Sequence, residues 1–148
     1  MKAKDILASK GHIIYTIKEA ESVQDVVSKL VTNKIGFLVV FDSADDVSGV
    51  ISERDVVNKC IHQHKNPAQM KAVEIMTKRD DLISALEDDD IEKIMNTMTS
   101  KKIRHLPVFR EDQLTGIISI GDVIKFILLA KNDEIKTLTE YAFGQYPS

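Results

Sequence analysis

The segment Gly49-Val50-Ile51-Ser52-Glu53-Arg54-Asp55-Val56-Val57 recurs 67 residues later as Gly116-Ile117-Ile118-Ser119-Ile120-Gly121-Asp122-Val123-Ile124. Both segments hold a glycine, an aliphatic pair, a serine, two variable positions, an aspartate and two more aliphatic residues. Segments upstream repeat as well: residues 34–41 match 102–109, and residues 2–7 match 71–76. Self-similarity of this extent predicts two tandem copies of one structural unit.

The composition is typical of a soluble globular protein, with 43% hydrophobic and 29% charged residues in a chain of 148. A net charge of −3 argues against nucleic acid as the main partner, because phosphate binding requires clustered positive charge. The longest apolar runs, 37–41 and 126–130, are too short to cross a bilayer. A single cysteine fits a reducing compartment, so we expect a cytoplasmic protein that does not contact membranes.

Each copy predicts the element order β-α-β-β-α. An extended segment, 13–17 in the first copy and 82–86 in the second, precedes a helix whose apolar residues recur at helical spacing. These residues are Val23, Val26, Val27, Leu30 and Val31 in the first copy, and Ile91, Ile94, Met95 and Met98 in the second. A hairpin and a second helix follow, the helix covering about 54–64 and 121–131.

We therefore predict an α+β fold in which two βαββα repeats pack with pseudo-twofold symmetry into one module. The expected boundaries are 1–66 for the first repeat, 67–131 for the second, and 132–148 for a helical C-terminal tail. The tail also carries the aromatic residues Tyr141, Phe143 and Tyr146. The sequence leaves two roles open for it: a helix folded back on its own domain, or a dimer contact.

Two Ser-x-x-Asp sites follow the repeated strands. Ser52 and Ser119 each end an apolar strand and begin a helix, where free backbone N–H groups and the helix dipole favour an anion. The serine hydroxyl can donate to a phosphate oxygen, and Asp55 or Asp122 can accept hydrogen bonds from ribose hydroxyls. The same pattern is also a capping box, which requires no ligand.

A basic cluster distinguishes the second copy. Residues 101–105 carry four basic side chains ahead of a strand, and the guanidinium of Arg104 suits a phosphate. If the strand has already begun at Arg104, alternation would place Arg104 and His105 on opposite faces, whereas a bulge before Pro107 would let both reach the mouth of the same cleft. The alternative interpretation of the cluster is a solvated strand end.

The first copy departs from this pattern. It has Gly36 and Phe37 in place of the basic pair, and the basic group that it adds is Arg54. We therefore expect two unequal sites, of which the second is favoured for a phosphate.

Other signals in the chain do not complete a site. Cys60 and His64 share a helix face, but two ligands do not close a zinc site. No nucleophile elbow, zinc-protease motif or dinucleotide-binding fingerprint occurs in the sequence. We expect no metal, no obligatory cofactor and no enzymatic activity.

Taken together, the pattern resembles a tandem cystathionine-beta-synthase (CBS) domain pair, also called a Bateman module. The resemblance rests on residues 49–56, 102–109 and 116–123, and it covers about residues 1–131. More narrowly, the chain is similar to small stand-alone bacterial CBS-pair proteins that carry Ser-Glu-Arg-Asp in the first copy and Ser-Ile-Gly-Asp in the second.

The resemblance implies a ligand sensor that binds adenosine nucleotides in clefts between the repeats. AMP is the first candidate, and ADP, ATP, NAD(H) and S-adenosylmethionine are the others. The implied contacts come from the motif serines and aspartates, from the polar residue that opens the first strand, and from the residues around the basic cluster. In this chain they are Ser119, Asp122, Arg104, His105, Ser84, Ile103, Pro107, Ser52, Asp55, Arg54, Thr16, Ile35 and Gly36.

The resemblance also implies a homodimer that regulates a separate protein partner. An alternative function remains open, in which the clefts stay empty and the chain is a dimerisation or protein-interaction module.

Overall fold

The computed structural model describes the backbone of residues 1–142 and the side chains of residues 1–139. In chain order the elements are α1 (Ala3–Lys10), β1 (Thr16–Lys18), α2 (Val23–Asn33), β2 (Phe37–Phe41), β3 (Val47–Ser52), α3 (Glu53–Val56), α4 (Ala72–Ile75), β4 (Thr77–Lys78), β5 (Ala85–Leu86), α5 (Ile91–Lys101), β6 (His105–Arg110), β7 (Gln113–Ser119) and α6 (Ile120–Ala142). The predicted α+β fold class is confirmed.

The chain forms two compact units. The first unit is Ile13–Ser84, and the second combines Met1–His12 with the chain from Ala85 onward. The predicted repeat boundary at residue 66 therefore does not coincide with the division into compact units. Residue 66 marks the point at which the sequence repeat divides. Its use as a domain boundary stays a prediction.

The first unit contains a four-stranded sheet in the order β1-β2-β3-β4. Strand β1 runs parallel to β2, whereas β2, β3 and β4 are successively antiparallel. The apolar faces of the sheet and helices form one core, whose most buried members include Ile17, Val23, Val26, Leu38, Ile51, Cys60 and Ile75. The helix predicted for 54–64 is present in altered form: α3 passes into one turn of π-helix at Val57–Ile61.

The second unit contains a three-stranded sheet in the order β5-β6-β7, with β5 parallel to β6 and β7 antiparallel to it. Helices α1, α5 and α6 cover it, and the core includes Ile6, Leu7, Ile94, Met98, Leu106, Ile118 and Val123. The last helix is much longer than the predicted 121–131, because α6 continues to Ala142.

Helix boundaries follow local chemistry, which the two copies share at the C-terminal ends of α2 and α5. The Ser22 hydroxyl accepts a hydrogen bond from the Asp25 N–H at 3.0 Å and so caps the start of α2. The residues that follow α2 and α5, Lys34 and Lys102, are both in the left-handed conformation. This reversal directs the chain from each helix into the central strand of its sheet.

Each unit takes its short lead helix from the other sequence copy. Helix α1 begins the first copy but packs in the second unit, whereas its repeat counterpart α4 packs in the first unit. The repeated glycines leave space for the chain segments that carry these lead helices. A Cβ on Gly49 would overlap the Thr77 carbonyl oxygen of β4, and one on Gly116 would lie 2.6 Å from Leu7 Cδ2 of α1.

The tail contains the predicted helical extension, since α6 runs to Ala142. Every described side chain in the range 131–139 is exposed, so this part of the helix is not folded back onto its own domain. Phe143 and Tyr146 lie outside the described residues, as does the side chain of Tyr141. None of the helices in the described part of the chain has both the length and the hydrophobicity needed to cross a bilayer.

Candidate functional site

The second Ser-x-x-Asp motif lies at the junction between β7 and α6. Ser119 is the last residue of β7, and its backbone N–H donates to Asp122 Oδ2 at 2.8 Å. In return the Asp122 N–H donates to Ser119 Oγ at 3.1 Å. The capping box that the sequence offered as an alternative is therefore present. The Ser119 hydroxyl itself contributes a hydrogen bond to the Asp122 carboxylate, so it would have to turn away from Asp122 to donate to a phosphate oxygen.

Lys10 joins this junction from the opposite end of the sequence. Its ammonium lies 2.6 Å from Asp122 Oδ2 and donates to the Ile117 carbonyl oxygen of β7 at 2.7 Å. Two residues on, His12 Nδ1 lies 2.7 Å from the Thr115 carbonyl oxygen, to which it must donate. The two side chains thus occupy the edge of β7, at the position where β4 pairs with β3 in the first unit.

The Asp122 carboxyl is held in its ionised form. Its partial burial opposes ionisation, but hydrogen bonds from the Lys10 ammonium and from Ser119 outweigh this effect. The pKa of Asp122 consequently lies below its ordinary value. An ionised carboxylate is the form that accepts hydrogen bonds from ribose hydroxyls.

The two carboxylate oxygens of Asp122 are used differently. Oδ2 binds both Lys10 and the Ser119 N–H, whereas Oδ1 accepts no hydrogen bond from the described residues. A carboxylate oxygen has two lone pairs, so Oδ1 is open to a further donor.

The first motif has the same backbone geometry but different partners. The Ser52 N–H donates to Asp55 Oδ2 at 2.9 Å. Asp55 Oδ1 lies 3.0 Å from the Lys59 ammonium, which also donates to the Ile75 carbonyl oxygen at 3.1 Å. Both oxygens of Asp55 are therefore engaged within the first unit, and its side chain is only 13% exposed, against 23% for Asp122.

Arg104 and His105 both lie beside the second motif. The Arg104 carbonyl accepts a hydrogen bond from the Ile120 N–H at 2.8 Å, which places this residue at the start of α6. His105 begins β6 and pairs directly with Ser119 of β7, so their side chains leave the sheet on the same face, with Cβ atoms about 5 Å apart. The guanidinium of Arg104 is exposed.

The bulge expected before Pro107 is not where the sequence suggested. The register of β6 against β7 instead shifts between Val108 and Phe109, after the proline. Arg104 and His105 are not separated by strand alternation either, because β6 begins only at His105.

The remaining predicted contact residues form two groups, apolar residues packed on the cores and residues at the strand ends and helix starts. Ile103 and Ile35 are partly buried against the cores of their own units, and Pro107 is buried in β6. Gly36 accepts a hydrogen bond at its carbonyl from the Glu53 N–H, as its counterpart Arg104 does from Ile120. Arg54 follows as the second residue of α3 and is exposed.

Thr16 and Ser84 hold equivalent positions at the entrance to the first strand of each copy. Thr16 lies within β1, where the Val39 N–H donates to the Tyr15 carbonyl oxygen at 3.0 Å. The counterpart of Val39 is Pro107, which has no N–H to donate. Strand β5 accordingly begins only at Ala85, and Ser84 is exposed just outside it.

Sequence reasoning missed Lys10 and Lys59. Lys10 is 112 residues from the aspartate that it binds, and no local pattern links them. Lys59 could have been found, because its i,i+4 spacing from Asp55 on one helix is a standard ion-pair arrangement. Among residues 1–139, no group of three or more histidine, cysteine, aspartate or glutamate side chains is placed to hold a metal ion.

Comparison with known proteins identifies relatives of the whole arrangement. The family profile of the CBS domain matches twice, at residues 3–62 and 72–129. The CBS domain-containing protein CBSX3, mitochondrial, of Arabidopsis thaliana is 31% identical over 128 residues, which are 85% of this chain and 62% of that protein. The chain thus spans less than two thirds of this relative's length.

Solved structures agree with the family match. A CBS-domain-containing protein from Agrobacterium tumefaciens is 34% identical, with a TM-score of 0.78 over 84% of this chain and 98% of that one. A CBS-domain protein from Burkholderia ambifaria MC40-6 is 31% identical, with a TM-score of 0.81 over 87% of this chain and 95% of that one.

Proposed function

Because this chain belongs to the CBS-domain family and carries two copies of the domain in tandem, we propose that it is a non-catalytic regulatory module that binds an adenosine nucleotide. Related structures support an adenosine ligand. The CBS domain protein PAE2072 from Pyrobaculum aerophilum was solved with AMP. The CBS domain pair of the protein MJ0100, 25% identical to this chain, was solved with 5′-methylthioadenosine and S-adenosyl-L-methionine.

The observation that carries the proposal is the Asp122 junction. An ionised carboxylate with an open Oδ1, the Ser119 hydroxyl and the N-terminus of a 23-residue helix meet at one point. The carboxylate suits ribose hydroxyls, and the hydroxyl and helix N-terminus suit a phosphate. The charge of Lys10 is balanced by Asp122, whereas Arg104, which is exposed and whose carbonyl binds the first N–H of α6, adds a positive charge that favours a phosphate-bearing ligand such as AMP over a neutral nucleoside.

We propose that the second site is the stronger of the two. At Asp55, Lys59 and the Ser52 N–H each bind one carboxylate oxygen, so a sugar hydroxyl would have to share an oxygen that already accepts a hydrogen bond, whereas Asp122 offers Oδ1. The first site also has Gly36 in place of Arg104. NAD(H), ATP and S-adenosylmethionine remain alternative ligands, and we further propose that the protein is a cytoplasmic homodimer acting on a separate protein.

Isothermal titration of nucleotide-free protein with AMP, ATP, NADH and S-adenosylmethionine tests this function. We expect AMP to saturate at least one site per chain. A hundredfold excess of AMP over its Kd should add about 2.7 kcal/mol to the free energy of unfolding. Absence of binding by all four compounds would overturn the proposal.

A matched pair of variants locates the site. We expect Asp122→Asn to lose the AMP-induced rise in Tm, measured relative to its own ligand-free form, because an amide cannot replace an anionic acceptor. Asp55→Asn, the same change in the first motif, should keep most of the rise. The reverse result would place the working site on the first motif.

The interaction module remains the second candidate function, because α6 exposes apolar side chains. Leu128, Ile135 and Leu138 are 57%, 60% and 65% exposed. In that case nucleotides would not change Tm, whereas deletion of residues 133–148 would disrupt assembly.

A further inference from the structure

Three charged residues flank the start of α6, and all of them belong to the second unit. Asp122 carries a negative charge, and the Lys10 ammonium, 2.6 Å from its Oδ2, carries the positive charge that balances it. Arg104, whose carbonyl binds the first N–H of α6, adds a second positive charge. The Asp122 junction as a whole therefore carries an excess of positive charge.

The position of Lys10 is fixed by the core of the second unit. Lys10 is the last residue of α1, in which Ile6 and Leu7 are fully buried. Its ammonium also donates to the Ile117 carbonyl oxygen at 2.7 Å, and the side chain is only 31% exposed. The positive charge is thus already held beside Asp122 when no ligand is bound.

The excess of positive charge at the junction depends on Lys10. Without its ammonium, the Asp122 carboxylate would cancel the charge of Arg104. A phosphate monoester carries a charge of about −1.5 to −2 at pH 7, so it would lose much of its attraction to the junction. An uncharged nucleoside would be much less affected, because its interaction does not depend on the net charge of the site.

We propose that Lys10 is a specificity-determining residue, which makes the Asp122 junction prefer a phosphate-bearing adenosine nucleotide over the uncharged nucleoside. This inference rests on the proposed nucleotide-binding function and deepens it. Lys10 binds Oδ2 of Asp122 and leaves Oδ1 open, so the ribose hydroxyls of either ligand can reach the same acceptor. The difference between the two ligands is then set by charge.

A purely structural role for Lys10 makes a different prediction. If Lys10 only held α1 against β7, its loss would weaken both ligands alike, because both would bind the same Asp122 carboxylate. The ratio of the two affinities therefore separates the two roles. A smaller folded fraction cannot change this ratio, because it reduces the apparent affinity for both ligands by the same factor.

Isothermal titration of the nucleotide-free, full-length protein with AMP and with adenosine tests the proposal. We expect Lys10→Met to weaken AMP about tenfold more than adenosine, because one positive charge near the phosphate is lost. Lys10→Arg should restore the preference of the wild-type protein for AMP, since it keeps the charge and can donate to both acceptors.

A second lysine on α1 provides the matched control. Lys4 pairs with Asp88 at 3.0 Å on the open surface, and Lys4→Met should leave the ratio of the two affinities unchanged. Equal weakening of both ligands by Lys10→Met would overturn the role of Lys10 and leave nucleotide binding intact. Equal affinity of the wild-type protein for AMP and adenosine would do the same. Absence of binding of both ligands to the wild-type protein would instead overturn the proposed function, and this inference with it.

Discussion

The Asp122 carboxylate accepts hydrogen bonds from two groups: the Ser119 N–H at the N-terminus of α6 and the ammonium of Lys10. Both side chains of the ion pair are less than one third exposed, so solvent screens the pair less than a typical surface pair. The depressed pKa of Asp122 follows from these contacts. A single residue from the start of the chain thereby influences the charge of the candidate site.

This arrangement predicts a pH-dependent contribution to stability. We expect Lys10→Met to lower the free energy of unfolding at pH 7 by about 1–2 kcal/mol, because it removes a charge-assisted hydrogen bond. Since the folded-state pKa of Asp122 is lowered, its stabilising effect is present above the ordinary pKa of about 3.9 and is lost as the pH falls through the folded value. Urea denaturation from pH 7 to pH 2.5 measures this difference.

A second lysine on the same helix provides the control. Lys4 pairs with Asp88 at 3.0 Å on the open surface, and Lys4→Met should not measurably change stability. If Lys10→Met and the wild-type protein unfold alike at pH 7, the Lys10–Asp122 pair does not contribute in solution.

At the scale of elements, the free edge of the second hairpin strand, β3 or β7, is covered differently in the two units. Strand β4 pairs with β3 in the first unit, whereas the Lys10 and His12 side chains bind the carbonyls of β7 in the second. Gly49 and Gly116 permit these two arrangements, because the chain segment that carries the lead helix lies directly against each glycine.

The glycine pair predicts unequal effects of one substitution. Gly49→Ala should destabilise the protein by about 3 kcal/mol, because its methyl group would overlap a backbone carbonyl that cannot move without breaking the β3–β4 pairing. Gly116→Ala should cost about 1 kcal/mol, since the neighbouring Leu7 side chain can change rotamer. Chemical denaturation of both variants measures the difference, and equal losses would contradict this explanation.

At the scale of the whole molecule, the chain passes from one unit to the other after His12 and again after Ser84. Ala3, Ile6 and Leu7 of α1 are fully buried in the core of the second unit, although α1 precedes the first unit in the chain. The N-terminal segment is therefore required to complete a core that the chain reaches only after Ser84.

Deletion of residues 1–12 tests this connection. We expect loss of amide-exchange protection in β6 and β7, because burying Ile6 and Leu7 contributes about 2–5 kcal/mol each. Strands β2 and β3 should keep most of their protection, since α4 supplies the lead helix of the first unit. Equal loss in both sheets would show that the units do not differ in this way.

Much of this architecture was predictable from the sequence. The repeat, the α+β class and the two hairpins followed from local signals, namely the spacing of apolar residues and the turns. The structure also confirmed that Ser119 and Asp122 meet at a helix start. These features depend on residues close together in the chain, for which side-chain periodicity is informative.

Other features could not be predicted from local patterns. Helix α1 packs in a unit whose remaining residues begin only at Ala85, and the Lys10–Asp122 pair that depends on this packing joins residues 112 positions apart. Strand β5 starts late because Pro107, on a different strand, lacks the N–H that its counterpart Val39 donates.

The sequence by itself determined that this chain is a pair of CBS repeats with a Ser-x-x-Asp motif in each. It also indicated two unequal sites, but only the tertiary structure decided that Asp122 is bound by Lys10 of a distant helix, whereas Asp55 is bound by Lys59 four residues along the chain. The physical reason is that a repeat specifies hydrogen bonds and packing within each copy. The partner of an ionised side chain, in contrast, is set by whichever segment the folded core brings within hydrogen-bond distance.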